Sequence, residues 1–198
     1  MVLEMCMSKT KRIETKRLFL IPFTDTHLTE RYVGWLNDGA LLQYSEHGFT
    51  KHTILSCKEF MKSFANSPNY FWATHVKGEE SEISHIGNMT AYVNPHHKCA
   101  DIGIMIGEKN AWGKGYGREE WLAVCDYLLR HEGLRKVTAS TLSVNIAMQK
   151  VMNSIGMRLE GVQQQQCIVK GEEVDKIYMS LFREEWLKDN PKSHFKLI

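Results

Sequence analysis

The chain has 198 residues, 43% of them hydrophobic and 24% charged, with a net charge of +2. That length suits one domain with its own core, and so mild a charge without a basic stripe argues against nucleic-acid binding. Five scattered cysteines, Cys6, Cys57, Cys99, Cys125 and Cys167, form no CxxC pair, so reduced thiols in a cytoplasmic protein are expected rather than a disulfide framework or a cysteine zinc site.

Residues 1–15 lack the apolar core of a signal peptide and read as a loose N-terminal extension, and no later run is long enough to span a membrane. Residues 16–23 alternate, Arg17, Phe19 and Ile21 against Leu18 and Leu20, and read as a first strand. Asp25 or Thr24 is placed to cap a helix reaching residue 36, with Leu28, Tyr32 and Trp35 at helical spacing and Asn37-Asp38-Gly39 as its stop. A second helix is predicted over 53–65, its apolar face made by Leu55, Phe60, Met61 and Phe64.

Residues 70–77 and 83–93 read as an antiparallel hairpin, with a solvated acidic tip at Glu79, Glu80 and Glu82. A strand at 99–106 leads into a glycine-rich loop and a long helix over 117–131, in which Trp121, Leu122, Cys125, Leu128 and Leu129 are core. A strand at 136–142 and a helix at 146–155 follow, then strands at 159–169 and 173–182 that turn at Lys170-Gly171. The run from Gln163 to Gln166 suits a solvated edge. The order implies an α+β (mixed α/β) domain over 16–183, with one parallel crossover and a charged tail at 184–198.

The loop Gly113-Lys114-Gly115-Tyr116-Gly117 lies between a strand and a helix. Glycine there admits positive φ and lets backbone N–H groups close on a ligand. The following helix presents unpaired N–H groups and a partial positive charge. Lys114 and Arg118 add charge, and no carboxylate interrupts residues 111–118, so a phosphate ligand is expected. The stretch is not a Walker A loop, and its third glycine comes one residue early for a dinucleotide fingerprint. No kinase motifs follow. Taken alone, the loop also suits a glycine-rich turn that binds nothing.

Its neighbours narrow the choice. Residues 101–107 (DIGIMIG), 111–118 (AWGKGYGR) and 145–157 (NIAMQKVMNSIGM) together resemble the GNAT superfamily of N-acetyltransferases, and more narrowly its RimJ/RimL-type branch, over roughly residues 16–183. The resemblance implies a central, mostly antiparallel sheet with one parallel splayed strand pair holding the coenzyme, and helices on both faces. It implies acetyl-CoA as co-substrate, no metal, and a monomer or homodimer. By similarity, the segment Trp112, Gly113, Lys114, Gly115, Tyr116, Gly117 and Arg118 holds the pyrophosphate. Gly115 and Gly117 match the family's Q/R-x-x-G-x-G/A loop, with Trp112 in place of its first polar residue. The backbone of Ile104, Met105 and Ile106 would pair with the pantetheine arm as an added strand does. Asn145 matches the asparagine that contacts pantetheine near the thiol; it also sits where an N-cap belongs, before Met148, Val151, Met152 and Ile155, and the roles are compatible.

Amide formation from a thioester needs a neutral amine, a stabilised oxyanion and a departing thiolate. Asp101 is the candidate base, with Glu46 and His47 behind it; a strand-end carboxylate paired with a neighbouring cation is its bland alternative. A backbone N–H near Ile104 or Met105 would face the oxyanion. Many relatives protonate the thiolate with a tyrosine four residues before the glycine of the last motif, but here Met152 stands there. An alkyl thiol of pKa about 8.5 leaves fairly well unaided, and positioning supplies roughly 7–11 kcal/mol. Ser154 is the candidate substitute acid, beside Ser143, Tyr178 or a water. His96 and His97 are adjacent on a turn and are not read as a metal site.

For the acceptor, residues 32–38 with Gln43 and Tyr44 resemble GNAT enzymes of surface-polysaccharide amino-sugar synthesis. Trp35, Asn37, Tyr44, Tyr70, Phe71 and Tyr92 are candidates to stack on or hydrogen-bond to a nucleotide-linked amino sugar, although Trp35 and Tyr70 also suit a core. A protein N-terminus or a polyamine or drug is the alternative, the polyamine disfavoured by the lack of clustered carboxylates. Without the usual tyrosine, a non-catalytic acyl-CoA-binding module also stays open.

Overall fold

Alternation along Tyr70–Val76 sets the layers of the molecule. The computed structural model describes residues 10–78 and 84–198, and in it Tyr70 and Trp72 join one buried cluster while Phe71 and Ala73 join another. Successive strand residues point to opposite faces, so one sheet serves two cores. The first cluster includes Trp121, Leu128 and Met152; the second includes Phe23, Tyr32, Trp35 and Cys57. Helices therefore cover both faces. The acidic hairpin tip and Cys6 lie outside the described residues.

Among the described residues the sheet has nine strands: β1 (Ile13–Glu14), β2 (Leu18–Pro22), β3 (Tyr70–Val76), β4 (His85–Asn94), β5 (Cys99–Ile106), β6 (Lys136–Leu142), β7 (Arg158–Val169), β8 (Glu172–Phe182) and β9 (Lys196–Leu197). Their order across it is β7-β8-β6-β5-β4-β3-β2-β1-β9. Every pairing is antiparallel except that of β5 with β6. This is the mixed, mostly antiparallel sheet with one parallel pair that the sequence implies. The β7–β8 turn has positive φ at both Lys170 (52°) and Gly171 (87°), as a two-residue hairpin of the right twist requires.

The helices are α1 (Glu30–Leu36), α2 (Ile54–Lys62), α3 (Tyr116–Asp126), α4 (Ile146–Ser154) and α5 (Arg183–Asp189). The first starts later than predicted. Thr24 opens only a 3-10 turn at Asp25–His27, Leu28 leaves helical backbone, and Thr29 caps α1 by accepting the Tyr32 N–H at 3.2 Å. Along α2 and the turn after it, Leu55 departs from the predicted apolar face. Leu55 is 67% exposed, and Ile54, Cys57, Phe60, Met61 and Phe64 face the core.

Among the described residues, segments from both ends of the sequence meet at one edge of the sheet. Ile13 is fully buried and pairs with Leu20 and Leu197. The buried Asp126 carboxylate gathers the C-terminal segment, accepting from Trp186 Nε1 (2.8 Å) and the His194 N–H (2.8 Å), with Arg130 Nε (2.9 Å) from its own helix. A buried carboxylate demands such donors, and nothing local in residues 184–198 signals them.

A histidine cluster lies between β3, β4 and the Asp25–His27 turn. The Thr24 N–H donates to His27 Nδ1 at 2.9 Å, which leaves the His27 proton on Nε2, 3.2 Å from His75 Nε2. His75 Nδ1 then donates to Ser84 Oγ (3.1 Å), and His85 Nε2 to the Gly87 carbonyl (3.0 Å). Every ring is neutral in this arrangement. Burial first, then the neighbouring imidazoles and Arg31, push His75 down to about 4 and His85 to about 3. The unfolded chain binds these protons near pH 6.5, so the cluster's contribution to stability is complete above that pH and lost as pH falls. Between pH 7.5 and 5.5 the unfolding free energy should drop by about 1–2 kcal/mol, most of it through the buried His85 and less through His75, which solvent partly screens. Denaturant titrations at both pH values, repeated with His75→Gln/His85→Asn, check it; an undiminished drop in the double variant would refute the assignment.

Candidate active site

The site begins where the sheet opens. β5 and β6 pair only at Cys99↔Lys136, Ala100↔Val137 and Asp101↔Thr138, although β5 runs on to Ile106 and β6 to Leu142. Beyond Asp101 the strands diverge, and a cavity of about 1180 Å³ is lined by Ile102 to Ile106 on one side and Ser140 to Leu142 on the other. Asn145, at the start of α4, also lines it, its Oδ1 accepting the Met148 N–H at 3.2 Å. The capping role is thus present at the cavity wall.

The glycine loop adjoins this opening. Trp112 lines the cavity and donates its indole N–H to the Ile106 carbonyl at 2.8 Å, tying the loop to the end of β5. Gly113 and Gly115 take φ of 72° and 78°, left-handed values that favour glycine. Gly115 is the N-cap of α3 and offers no side-chain cap, so its first turn keeps N–H groups for a ligand. A Cβ on Gly117 would lie 3.6 Å from Ile104 Cδ1, so that turn packs directly on β5. Arg118 reaches away to α4, donating from Nε to Ser154 Oγ at 3.0 Å.

On the face toward α1 and α2, the β4–β5 ladder presents a polar stripe. Cross-strand partners Tyr92↔Asp101, Thr90↔Gly103 and Asn88↔Met105 all line the cavity. The loop from Leu41 to His52 faces them, with Tyr44, Glu46, His47, Lys51 and His52 on the cavity. Gln166 to Val169 of β7 close another side, carried over it by a bulge of extra residues between Gln163 and Cys167, together with Lys176 of β8.

Asp101 sits at the branch point. Its Oδ2 accepts from Thr138 Oγ1 at 2.8 Å, across the last parallel pair. The side chain is open to the cavity rather than sealed, but the walls strip water from it, and this desolvation carries the carboxyl above its usual range against the opposing pulls of Thr138 and Lys176. His47 is held below its usual range, chiefly by burial and then by His52.

Several predicted residues lie elsewhere. Trp35 is buried against Gly107, where even a Cβ would come within 2.0 Å of its ring. Asn37 closes α1, donating to the Val33 (3.0 Å) and His52 (2.9 Å) carbonyls and accepting the His52 N–H. Tyr70 stacks on Trp72 on the α3 face, and Phe71 stacks on Phe23. Ser154 is bound to Arg118 and to the Val151 carbonyl and does not line the cavity. Met152 is fully buried in the core. Ser143 Oγ accepts the Asp175 N–H, and Tyr178 donates to Gln163 Oε1.

The structure adds groups that sequence reasoning did not single out: Thr138 beside Asp101, the stripe residues Asn88 and Thr90, and Lys51 and Lys176 on the walls. Period-two alternation through Tyr92 would have found Asn88 and Thr90. Among the described residues no helix is long and apolar enough to cross a membrane, and no group of histidine, cysteine and carboxylate side chains is arranged to hold a metal ion.

Comparison with known proteins agrees with this geometry. A family model described as an acetyltransferase (GNAT) domain matches residues 17–158. The uncharacterized N-acetyltransferase YnaD of Bacillus subtilis (strain 168) is 29% identical over 178 residues, covering 88% of this chain and 98% of that one. Spermidine N-acetyltransferase from Vibrio cholerae, solved in complex with CoA and spermine, superposes with a TM-score of 0.75 at 17% identity, over 86% of this chain and 98% of its own. The ribosomal-protein-S5-alanine acetyltransferase of Vibrio fischeri gives 0.67 at 18% identity, over 88% and 98%. Similar folds thus serve a small-amine enzyme and a protein-modifying one.

Proposed function

The chain belongs to the GNAT acetyltransferase family, and from that premise we propose that it transfers acetyl from acetyl-CoA to the primary amine of a nucleotide-linked amino sugar, as a cytoplasmic enzyme of RimJ/RimL-type build. The observation that carries the donor half is the splay of β5 from β6 beside a left-handed glycine loop. The unpaired edge of β5 at Ile104, Met105 and Ile106 suits a pantetheine arm added like a strand. The N–H groups from Gly113 to Arg118 suit the pyrophosphate, and Asn145 on the cavity wall suits a contact with pantetheine near its thiol.

In this reading Asp101 takes the proton from the amine, directly or through one water. The neutral nitrogen attacks the thioester carbonyl, a backbone N–H of β5 near Ile104 or Met105 stabilises the oxyanion, and collapse expels the thiolate while the nitrogen gives its second proton to solvent. Ser154 and Met152 are not on the cavity, so the thiolate takes its proton from solvent, as its pKa of about 8.5 permits.

The acceptor assignment rests on the polar stripe. Tyr92, Thr90 and Asn88 offer hydroxyl and amide groups to a polyol, and Tyr44 offers an aromatic face. A polycation would seek carboxylates, but Glu46 and Asp101 are offset on the walls by Lys51 and Lys176. Thiol release from acetyl-CoA should be measured against nucleoside-diphosphate amino sugars, spermidine and a peptide with a free N-terminus. The sugar nucleotide should show at least a tenfold higher kcat/KM; a preference for spermidine or the peptide would overturn the acceptor assignment.

A further inference from the structure

Glu119 stands in the first turn of α3, directly behind the loop proposed to hold a pyrophosphate. A carboxylate favours a helix N-terminus by itself, yet it repels an anionic ligand bound at the same place. The structure places a cation against it. Arg17 Nε donates to Glu119 Oε2 at 2.6 Å, and the Arg17 backbone N–H to Oε1 at 2.7 Å. Thr15 Oγ1 donates to Oε1 as well, at 2.6 Å. A tight turn between β1 and β2, closed by the Thr15 N–H on the Leu18 carbonyl (3.0 Å), aims both residues there.

The same guanidinium reaches the loop itself. Arg17 Nη1 donates to the Lys114 carbonyl at 2.8 Å, and its carbon lies 4.7 Å from the centre of the Tyr116 ring. Lys114 lies between the two left-handed glycines. Holding its carbonyl on Arg17 keeps that oxygen, another repulsive group, engaged away from an anion. Burial would raise the Glu119 carboxyl, but the bonds from Thr15 and Arg17 hold it below its usual range, as an ionised partner of Arg17.

We infer that Arg17 is a positioning residue for the pyrophosphate end of the coenzyme, cancelling the charge of Glu119 and fixing the Lys114 carbonyl. The inference rests on the coenzyme reading above. Calorimetric titration of CoA into the wild type tests that reading; absence of binding there sinks the reading itself. Given wild-type binding, Arg17→Ala should weaken Kd at least tenfold, and adding Glu119→Gln should restore at least a third of that loss on a logarithmic scale. The KM for the amine should stay within twofold. With S-acetylpantetheine, which lacks the pyrophosphate, turnover by Arg17→Ala should match the wild type. Arg17→Lys keeps the charge but not the fork, and should lose at least threefold in CoA affinity even if the alanine variant fails to fold. Wild-type affinity in both Arg17 variants, no recovery with Glu119→Gln, or an equal loss with acetylpantetheine would each overturn the inference.

Discussion

Replacing Gly115 by valine should raise the Kd for CoA and the KM for acetyl-CoA at least a hundredfold, equivalent to about 2.7 kcal/mol. Gly115 holds φ 78° and ψ 9° at the turn from loop to helix. Left-handed backbone costs an ordinary L-residue roughly 1–2 kcal/mol, and a β-branched side chain is the least tolerant of it. The loop would relax toward negative φ, rotating the N–H groups that must converge on the pyrophosphate. Room for the side chain is not the obstacle. The nearest atom to a Cβ there is Arg17 Nη2 at 3.5 Å, ordinary contact, so the fold should survive. Gly115→Ala, with less crowding, should lose roughly tenfold, or about 1.4 kcal/mol. Calorimetry with CoA beside circular dichroism separates ligand loss from unfolding; valine binding CoA like the wild type would remove the loop from the coenzyme site.

Local features of this site were legible in the sequence because glycine, caps and strand periodicity act over a few residues. The loop, the strand at 99–106 and the Asn145 cap lie where they were read. Sidedness was harder. Aromatic type alone does not say which face of a sheet a residue takes, and the alternation of β3 sends Tyr70 to the α3 core. Tyr44 and Tyr92 do reach the cavity, while Trp35 is held by Gly107, far along the chain. Arg17 with Glu119, and Asp101 with Thr138, are pairs made by tertiary contact. No local pattern marks such partners. Met152 was visible as a missing acid, but its burial in the α3 core follows from the packing of α4, which also turns Ser154 toward Arg118.

Asp101→Asn should lower kcat/KM for the amine roughly a hundredfold near neutral pH, the lower end of what a positioned general base supplies. Asparagine can still accept from Thr138 through its carbonyl, so the 2.8 Å bond and the parallel pair it supports should persist. Only the ionisation is removed. Desolvation raises the Asp101 carboxyl above its usual range, and the base works when unprotonated. Activity of the wild type should therefore fall as pH drops through that raised value, at a higher pH than an ordinary aspartate would give. The asparagine variant should lack this limb and follow the amine's own titration, which makes its deficit shrink as pH rises toward the amine pKa. Profiles of kcat/KM against pH for the two proteins decide the matter, with CoA affinity as the control. A variant with the wild-type profile and rate would exclude Asp101, and the base would then be sought at His47, which lines the same cavity and is held below its usual range by burial and by His52.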